Sequence, residues 1–202
     1  MKTKSLIRLV TLCALCALCA LGMPRPAQAN LVVNGGFQTG PPGDIIYGWT
    51  QFGNTDNSGV DGSNPHSGSY GAFFGPQLSA GGITQEITVI SGATYQIDFW
   101  LANNFEGVNP EVPQDCYFEL MLGGKSVVLL NGIVEAFDYS HRIFAFDAVA
   151  DGPFTIGFGF RHQDGYFDLD DVSVERVPEA AATAGLLGLG LAGLAGMRRK
   201  LS

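Results

Sequence analysis

Through the middle of the chain, apolar and polar residues alternate in short runs separated by glycine-rich turns. Residues 94–102 are the clearest case. Tyr95, Ile97, Phe99 and Leu101 fall on one side, and Gln96, Asp98 and Trp100 on the other. A period of two marks a strand with one buried face. Residues 83–90 repeat β-branched positions, and residues 142–149 set Ile143, Ala145 and Asp147 against Phe144, Phe146 and Ala148. Shorter runs at 31–33, 45–52, 70–74, 117–122, 126–130, 154–160 and 166–175 complete the candidates. Gly123-Gly124 between two runs predicts a tight hairpin, because both central positions of such a turn take positive φ. Residues 56–62 read as a solvated, turn-rich loop; Val60 stands where an EF-hand would need an oxygen ligand. Eight to ten short strands without a helical period predict an all-β domain over 30–176. Its expected form is an antiparallel two-sheet β-sandwich or jelly roll.

The two ends follow other patterns. Residues 1–29 have the three parts of a signal peptide. Lys2, Lys4 and Arg8 precede an apolar stretch at 9–21, and Ala27-Gln28-Ala29 puts small residues at the −3 and −1 positions. Cleavage before Asn30 is expected. An uncleaved anchor is the other reading, but the stretch is short against the roughly 20 residues of a span. Residues 180–197 are apolar apart from Thr183 and predict a transmembrane helix. At about 1.5 Å per residue, it is close to the thickness of a bilayer core. Arg198, Arg199 and Lys200 form a basic end that would stay cytoplasmic.

Charge sharpens this division. The 202-residue chain carries a net charge of −8, but residues 30–178 hold four basic against eighteen acidic residues, a net of −14. The positive charge sits mostly in the ends, so no basic face is left for nucleic acid. All fourteen Phe, six Tyr and two Trp lie in this middle part. Of four cysteines, Cys13, Cys16 and Cys19 lie in the signal peptide and only Cys116 remains. An internal disulfide is therefore excluded after cleavage. Cys116, in a strand-like run, reads as a buried structural thiol or, alternatively, as one that pairs chains.

Catalytic signatures are missing from the sequence. It holds no Gly-x-Ser-x-Gly elbow and no His-Glu-x-x-His pattern. His66, His141 and His162 lie in separate segments, and His162-Gln163-Asp164 reads as a surface turn before the last strand. The glutamates are scattered, as on any acidic soluble surface. No catalysis is expected, and a secreted hydrolase is the weakest of the readings.

Two resemblances extend this reading. Val177-Pro178-Glu179, the apolar span and the Arg-rich end resemble the PEP-CTERM sorting tail of exosortase substrates, here residues 177–202. Ala180 stands where that pattern has a second proline. The resemblance implies export with the help of signal peptidase and the secretion machinery. A transient inner-membrane anchor, processing by an exosortase-type enzyme, and delivery to the cell surface or extracellular matrix would follow.

Within the domain, Asn34-Gly35-Gly36-Phe37-Gln38, Gly48-Trp49, His66-Ser67-Gly68-Ser69-Tyr70, residues 95–101 and Leu169-Asp170-Asp171-Val172-Ser173-Val174 are similar, in that order, to motifs of galactose-binding-like jelly rolls. Many bacterial carbohydrate-binding modules belong to that group. The resemblance implies one structural calcium held by Gln38, Asp170 and Asp171, with backbone oxygen near Asn34. Gln38 replaces the usual Glu and removes one charge from the cage. Sugar rings stack on exposed aromatics, which makes Tyr47, Trp49, Phe105, Tyr139 and Tyr166 candidate ligand contacts. The function expected is a non-catalytic surface or matrix protein with a structural or adhesive role. The alternative is a carbohydrate-binding module with a defined glycan ligand, extracellular polysaccharide being the expected partner.

Overall fold

The structure, a computed structural model, describes residues 29–105 and 114–178. The expected signal peptide up to Gln28, the transmembrane helix and the sorting tail from Glu179 onward lie outside the described residues. The described part contains ten strands and no helix: β1 (Thr50–Gly53), β2 (Ser58–Asp61), β3 (Gly71–Phe74), β4 (Gly81–Val89), β5 (Thr94–Asn104), β6 (Gln114–Leu122), β7 (Lys125–Val134), β8 (Phe137–Asp147), β9 (Gly152–His162) and β10 (Tyr166–Arg176). They form two five-stranded sheets, ordered β1-β4-β9-β6-β7 and β2-β3-β10-β5-β8. Every pairing is antiparallel. The all-β, two-sheet antiparallel sandwich expected from the sequence is the fold observed.

Alternation fills the space between the sheets. Tyr95, Ile97, Phe99 and Leu101 of β5 are buried and face Phe118 and Leu120 of β6 and Ile156, Phe158 and Phe160 of β9. Phe74 stacks on Phe160 at 4.0 Å, and Phe99 meets Phe158 edge-on at 5.0 Å. Each such ring stabilises the fold by about 1.5–3 kcal/mol through burial, with offset and edge contacts adding to it. The Gly123-Gly124 hairpin is present, with φ of 57° and 77°.

Three local readings change. Residues 31–33 and 45–49 are not strand; Leu31 only donates its N–H to Val174 O, and β1 begins at Thr50. Gly48, at φ 84°, lets the chain turn so that Trp49 N donates to Ile46 O, which buries the Ile46 side chain. The loop expected at 56–62 contains β2, because Val60 pairs with Ala72 and also bridges Gly43. His162 is not in a surface turn. It ends β9 and is fully buried.

One irregularity places the polar groups that matter below. Phe167 and Leu169 of β10 point into the core, so a regular strand would also send Asp171 inward. The register instead shifts between Asp170 and Ser173, with Asp171 at φ 50°. This bulge returns Val172 and Val174 to the core and leaves Asp170 and Asp171 on the other side.

Candidate functional site

The outer side of the β2-β3-β10-β5-β8 sheet carries the chemistry. Tyr166 and Asp168 of β10, Phe73 of β3 and Asn104 of β5 point away from the core because their strand neighbours point into it. Together with Asp61 at the end of β2, and with Ser63 and Asn64 of the following loop, they line an open cleft of about 200 Å³. Phe73 and Tyr166 meet edge to face at 5.7 Å and form its apolar wall. The polar part of the lining is tied together: Asn64 Nδ2 donates to Asp168 Oδ2 at 2.7 Å and Asn104 Nδ2 donates to the same oxygen. Asp61 accepts from Ser63 N and Ser63 Oγ at 2.9 and 3.1 Å.

The loop between β2 and β3 lies across the sheet and is pinned by the closing strand. Asp170 is buried, and its Oδ2 accepts from His66 N at 2.9 Å and Ser67 N at 3.0 Å. Its Oδ1 accepts from Asp171 N at 2.8 Å. Burial pushes the Asp170 carboxyl pKa up, while these N–H groups pull it down. Asp171 accepts from Ser67 Oγ at 2.7 Å and pairs with His66 Nδ1 at 2.7 Å. Tyr139 of β8 adds a further tie, its hydroxyl donating to Asn64 O at 2.7 Å. Burial, and then the field of Asp168, Asp170 and Asp171, raise the Tyr139 pKa, which keeps that donor proton in place.

Beside the cleft, the Trp100 indole stacks on His66 at 3.9 Å and on His141 at 4.9 Å. His141 Nε2 lies 3.1 Å from Asp98 Oδ1. Stacked on both histidines, Trp100 serves as packing for the loop rather than as a free platform.

The aromatic candidates therefore separate. Tyr166 lines the cleft, and Tyr139 stays out of its lining but holds Asn64 through its hydroxyl. Trp49 is buried against Phe37 and Phe158, with its Nε1 donating to Asn34 O at 3.3 Å. Phe105 is buried with its ring edge-on to His162. Tyr47 is exposed and packs over Gly40, away from the cleft. Val177 and Pro178 of the sorting motif follow β10; Glu179, Arg198, Arg199 and Lys200 lie outside the described residues.

The calcium candidates are also divided. Gln38, Asp170 and Asp171 surround the same loop. Asn34 O does not join them, because it accepts from Phe37 N and Trp49 Nε1. Among the described residues, no three His, Cys, Asp or Glu side chains converge as a metal cage.

Sequence reasoning did not single out Phe73, Asn64, Asn104, Asp61, Ser63 or Asp168. The alternation around Leu101 and around Phe167 and Leu169 does put Asn104 and Asp168 on the outer face. The approach of Asn64 across 104 residues of sequence leaves no local signal.

No protein-family model matches the chain, and no curated protein sequence matches it. Solved structures do. The carbohydrate-binding module TmCBM61, solved with β-1,4-galactotriose, superposes with a TM-score of 0.55 at 19% identity, over 74% of this chain and 99% of that one. An arabinose-bound α-L-arabinofuranosidase, MgGH51, matches with a TM-score of 0.54 at 15% identity, over 74% of this chain and 26% of that one. The K1 cleaved adhesin domain of Lys-gingipain from Porphyromonas gingivalis W83 matches with a TM-score of 0.50 at 10% identity, over 71% and 96%. These likenesses establish the fold. The domain is a two-sheet antiparallel jelly-roll β-sandwich, a fold it shares with TmCBM61.

Proposed function

We propose that this chain is an exported carbohydrate-binding module, and that its sugar contact is the cleft on the outer side of the β2-β3-β10-β5-β8 sheet. One observation carries the reading: the aromatic pair Phe73 and Tyr166 lines one open cleft together with the amides and carboxylate of Asn64, Asn104 and Asp168. A sugar ring has an apolar face and a rim of hydroxyls, and this arrangement offers a partner to each. The fold shared with a galactotriose-bound module supports the same reading. The acidic surface favours neutral glycans over uronic or sulfated ones.

Catalysis is not part of this function. Asp61 and Asp168, the carboxylates of the cleft, are each held by two hydrogen-bond donors. Carboxylates engaged in this way suit hydrogen bonding to sugar hydroxyls. Export rests on the three-part signal at the N-terminus. Sorting through an exosortase-type enzyme to the surface or the extracellular polysaccharide rests on the layout of residues 177–202. An adhesive role in that matrix is then a consequence of glycan binding.

Titration calorimetry of the exported form against neutral soluble polysaccharides tests the proposal. Tyr166→Ala should weaken binding at least tenfold, since losing a buried ring face costs about 1.5–3 kcal/mol. Unchanged affinity in Tyr166→Ala would move the site elsewhere, and heatless titrations across the whole panel would end the glycan reading. Mass spectrometry of the mature C-terminus tests the sorting route: an intact Arg198-Arg199-Lys200 end on surface protein would refute processing.

A further inference from the structure

The galactose-binding-like resemblance implies calcium at Gln38, Asp170 and Asp171, and the residues present do not fit it. We infer that the Gln38 side-chain amide takes the place of a cation, so that the loop carrying Asn64 is fixed without any metal. Gln38 Nε2 donates to Gly36 O and Tyr70 O, both at 2.6 Å, with Ser67 O further off at 3.5 Å. Carbonyl oxygens converging on one point are what a hard cation wants, and here an NH₂ group with two donors sits at that point. Gln38 Oε1 accepts from Ser69 N at 2.9 Å. These four contacts fix which end of the amide is which, because the reverse orientation would set Oε1 against two carbonyls.

The neighbouring carboxylates are committed in the same way. Asp170 spends both oxygens on three backbone N–H groups, and Asp171 spends both on Ser67 Oγ and His66 Nδ1. Calcium takes six to eight oxygen ligands. To collect them here it would have to turn the Gln38 amide and displace protein donors from the aspartates. Gly68, at φ 68°, lets the loop pass directly over the amide, since a Cβ there would lie 2.7 Å from the Gln38 amide carbon. The clasp thus closes residues 66–70 onto the N-terminal segment with neutral hydrogen bonds alone.

The consequence for the cleft rests on the function proposed above. Asn64 belongs to this loop, so sugar binding should be indifferent to chelators. The clasp itself is tested without any sugar. Thermal melting of the exported form in excess chelator and in millimolar calcium should give one midpoint. A calcium site filled to a hundred times its Kd would instead raise the midpoint by about 5–10 °C. Gln38→Glu removes the two donors and sets a carboxylate against two carbonyls. Its midpoint should fall in chelator and recover in calcium, turning an indifferent protein into a calcium-dependent one. A calcium-raised midpoint in the wild type overturns the inference. So does a Gln38→Glu variant as stable as wild type in chelator. If that variant does not fold, calorimetric titration of calcium into wild type decides alone: no heat supports the clasp, and saturable binding refutes it. Failure of the glycan proposal would show in the Tyr166→Ala titrations and leave these melting results untouched.

Discussion

His162 makes the domain sensitive to acid by an amount that the structure sets. The side chain is fully buried at the end of β9, with the rings of Phe105 and Phe167 edge-on at 5.4 Å. Asn103 Nδ2 donates to Glu135 O at 3.0 Å, which turns Asn103 Oδ1 toward the imidazole, 2.8 Å from Nε2. Nε2 therefore carries the hydrogen, and Nδ1 is a lone pair with no partner. A proton added at Nδ1 would be a buried charge with nothing to accept its hydrogen bond. Burial accordingly lowers the pKa from 6.5 to about 4, against a weaker opposite pull from Asp164. The unfolded chain takes up this proton near pH 6.5, while the folded chain refuses it until about pH 4. Stability is thus complete above pH 6.5 and drains away as the pH falls through that window, by about 2–3 kcal/mol at pH 4.5. Asp170 works in the opposite sense, because its raised pKa lets the folded form hold a proton more readily. Urea unfolding of wild type and His162→Gln at pH 7.5 and 4.5 separates the two, since carboxylate effects are common to both proteins. Wild type should lose about 2–3 kcal/mol more on acidification than the variant. Equal losses would refute the buried, neutral, singly bonded imidazole.

Other consequences are local. Tyr139→Phe deletes the hydroxyl that holds Asn64 O and should cost about 1 kcal/mol in urea unfolding; no change would mean that water replaces the bond freely. Cys116 is buried with its thiol pKa pushed up to about 11, chiefly by desolvation. A thiol reagent at pH 8 should therefore leave Cys116 of the native protein unlabelled and modify it once denatured, and rapid native labelling of Cys116 would contradict this burial. Phe158→Ala opens the contact between the sheets and should cost about 3–5 kcal/mol by the same unfolding assay; a loss below about 1 kcal/mol would deny that the core lies there.

Strands with one wet face were legible in the sequence, because burial on one side writes a period of two into the residues. β5 shows it along most of its length, and Gly123-Gly124 marks the hairpin of β6 and β7. β2 was illegible because Ser58-Gly59-Val60-Asp61 has little apolar content. It is held by pairing with β3 and by the bridge to Gly43, which are tertiary facts. Residues 45–49 misled in the other direction: Ile46 and Trp49 are buried from a turn rather than from a strand. His162 was missed because the strand-like run at 154–160 stops short of it. In fact Arg161 stays outside and pairs with Asp115 at 2.9 Å, while the next residue turns inward. For the site, Tyr166 and Tyr139 were recognisable as aromatics near strand ends. The role of Gln38 was not, because a side-chain amide that replaces an ion is visible only once its carbonyl partners are in place.

Sugar contact at the outer cleft has a direct spectroscopic readout. The most direct measurement is a two-dimensional amide NMR spectrum of the protein, recorded with and without a neutral oligosaccharide such as β-1,4-galactotriose, with which TmCBM61 was solved. The side-chain NH₂ groups of Asn64 and Asn104 report on the polar lining, and the backbone amides of Phe73 and Tyr166 on the aromatic one. Saturable shifts are expected at these four positions with at least one neutral glycan, with Gly123 and Gly124 at the β6–β7 hairpin unmoved. Saturable shifts confined to other faces, or none with any neutral glycan, would contradict that contact.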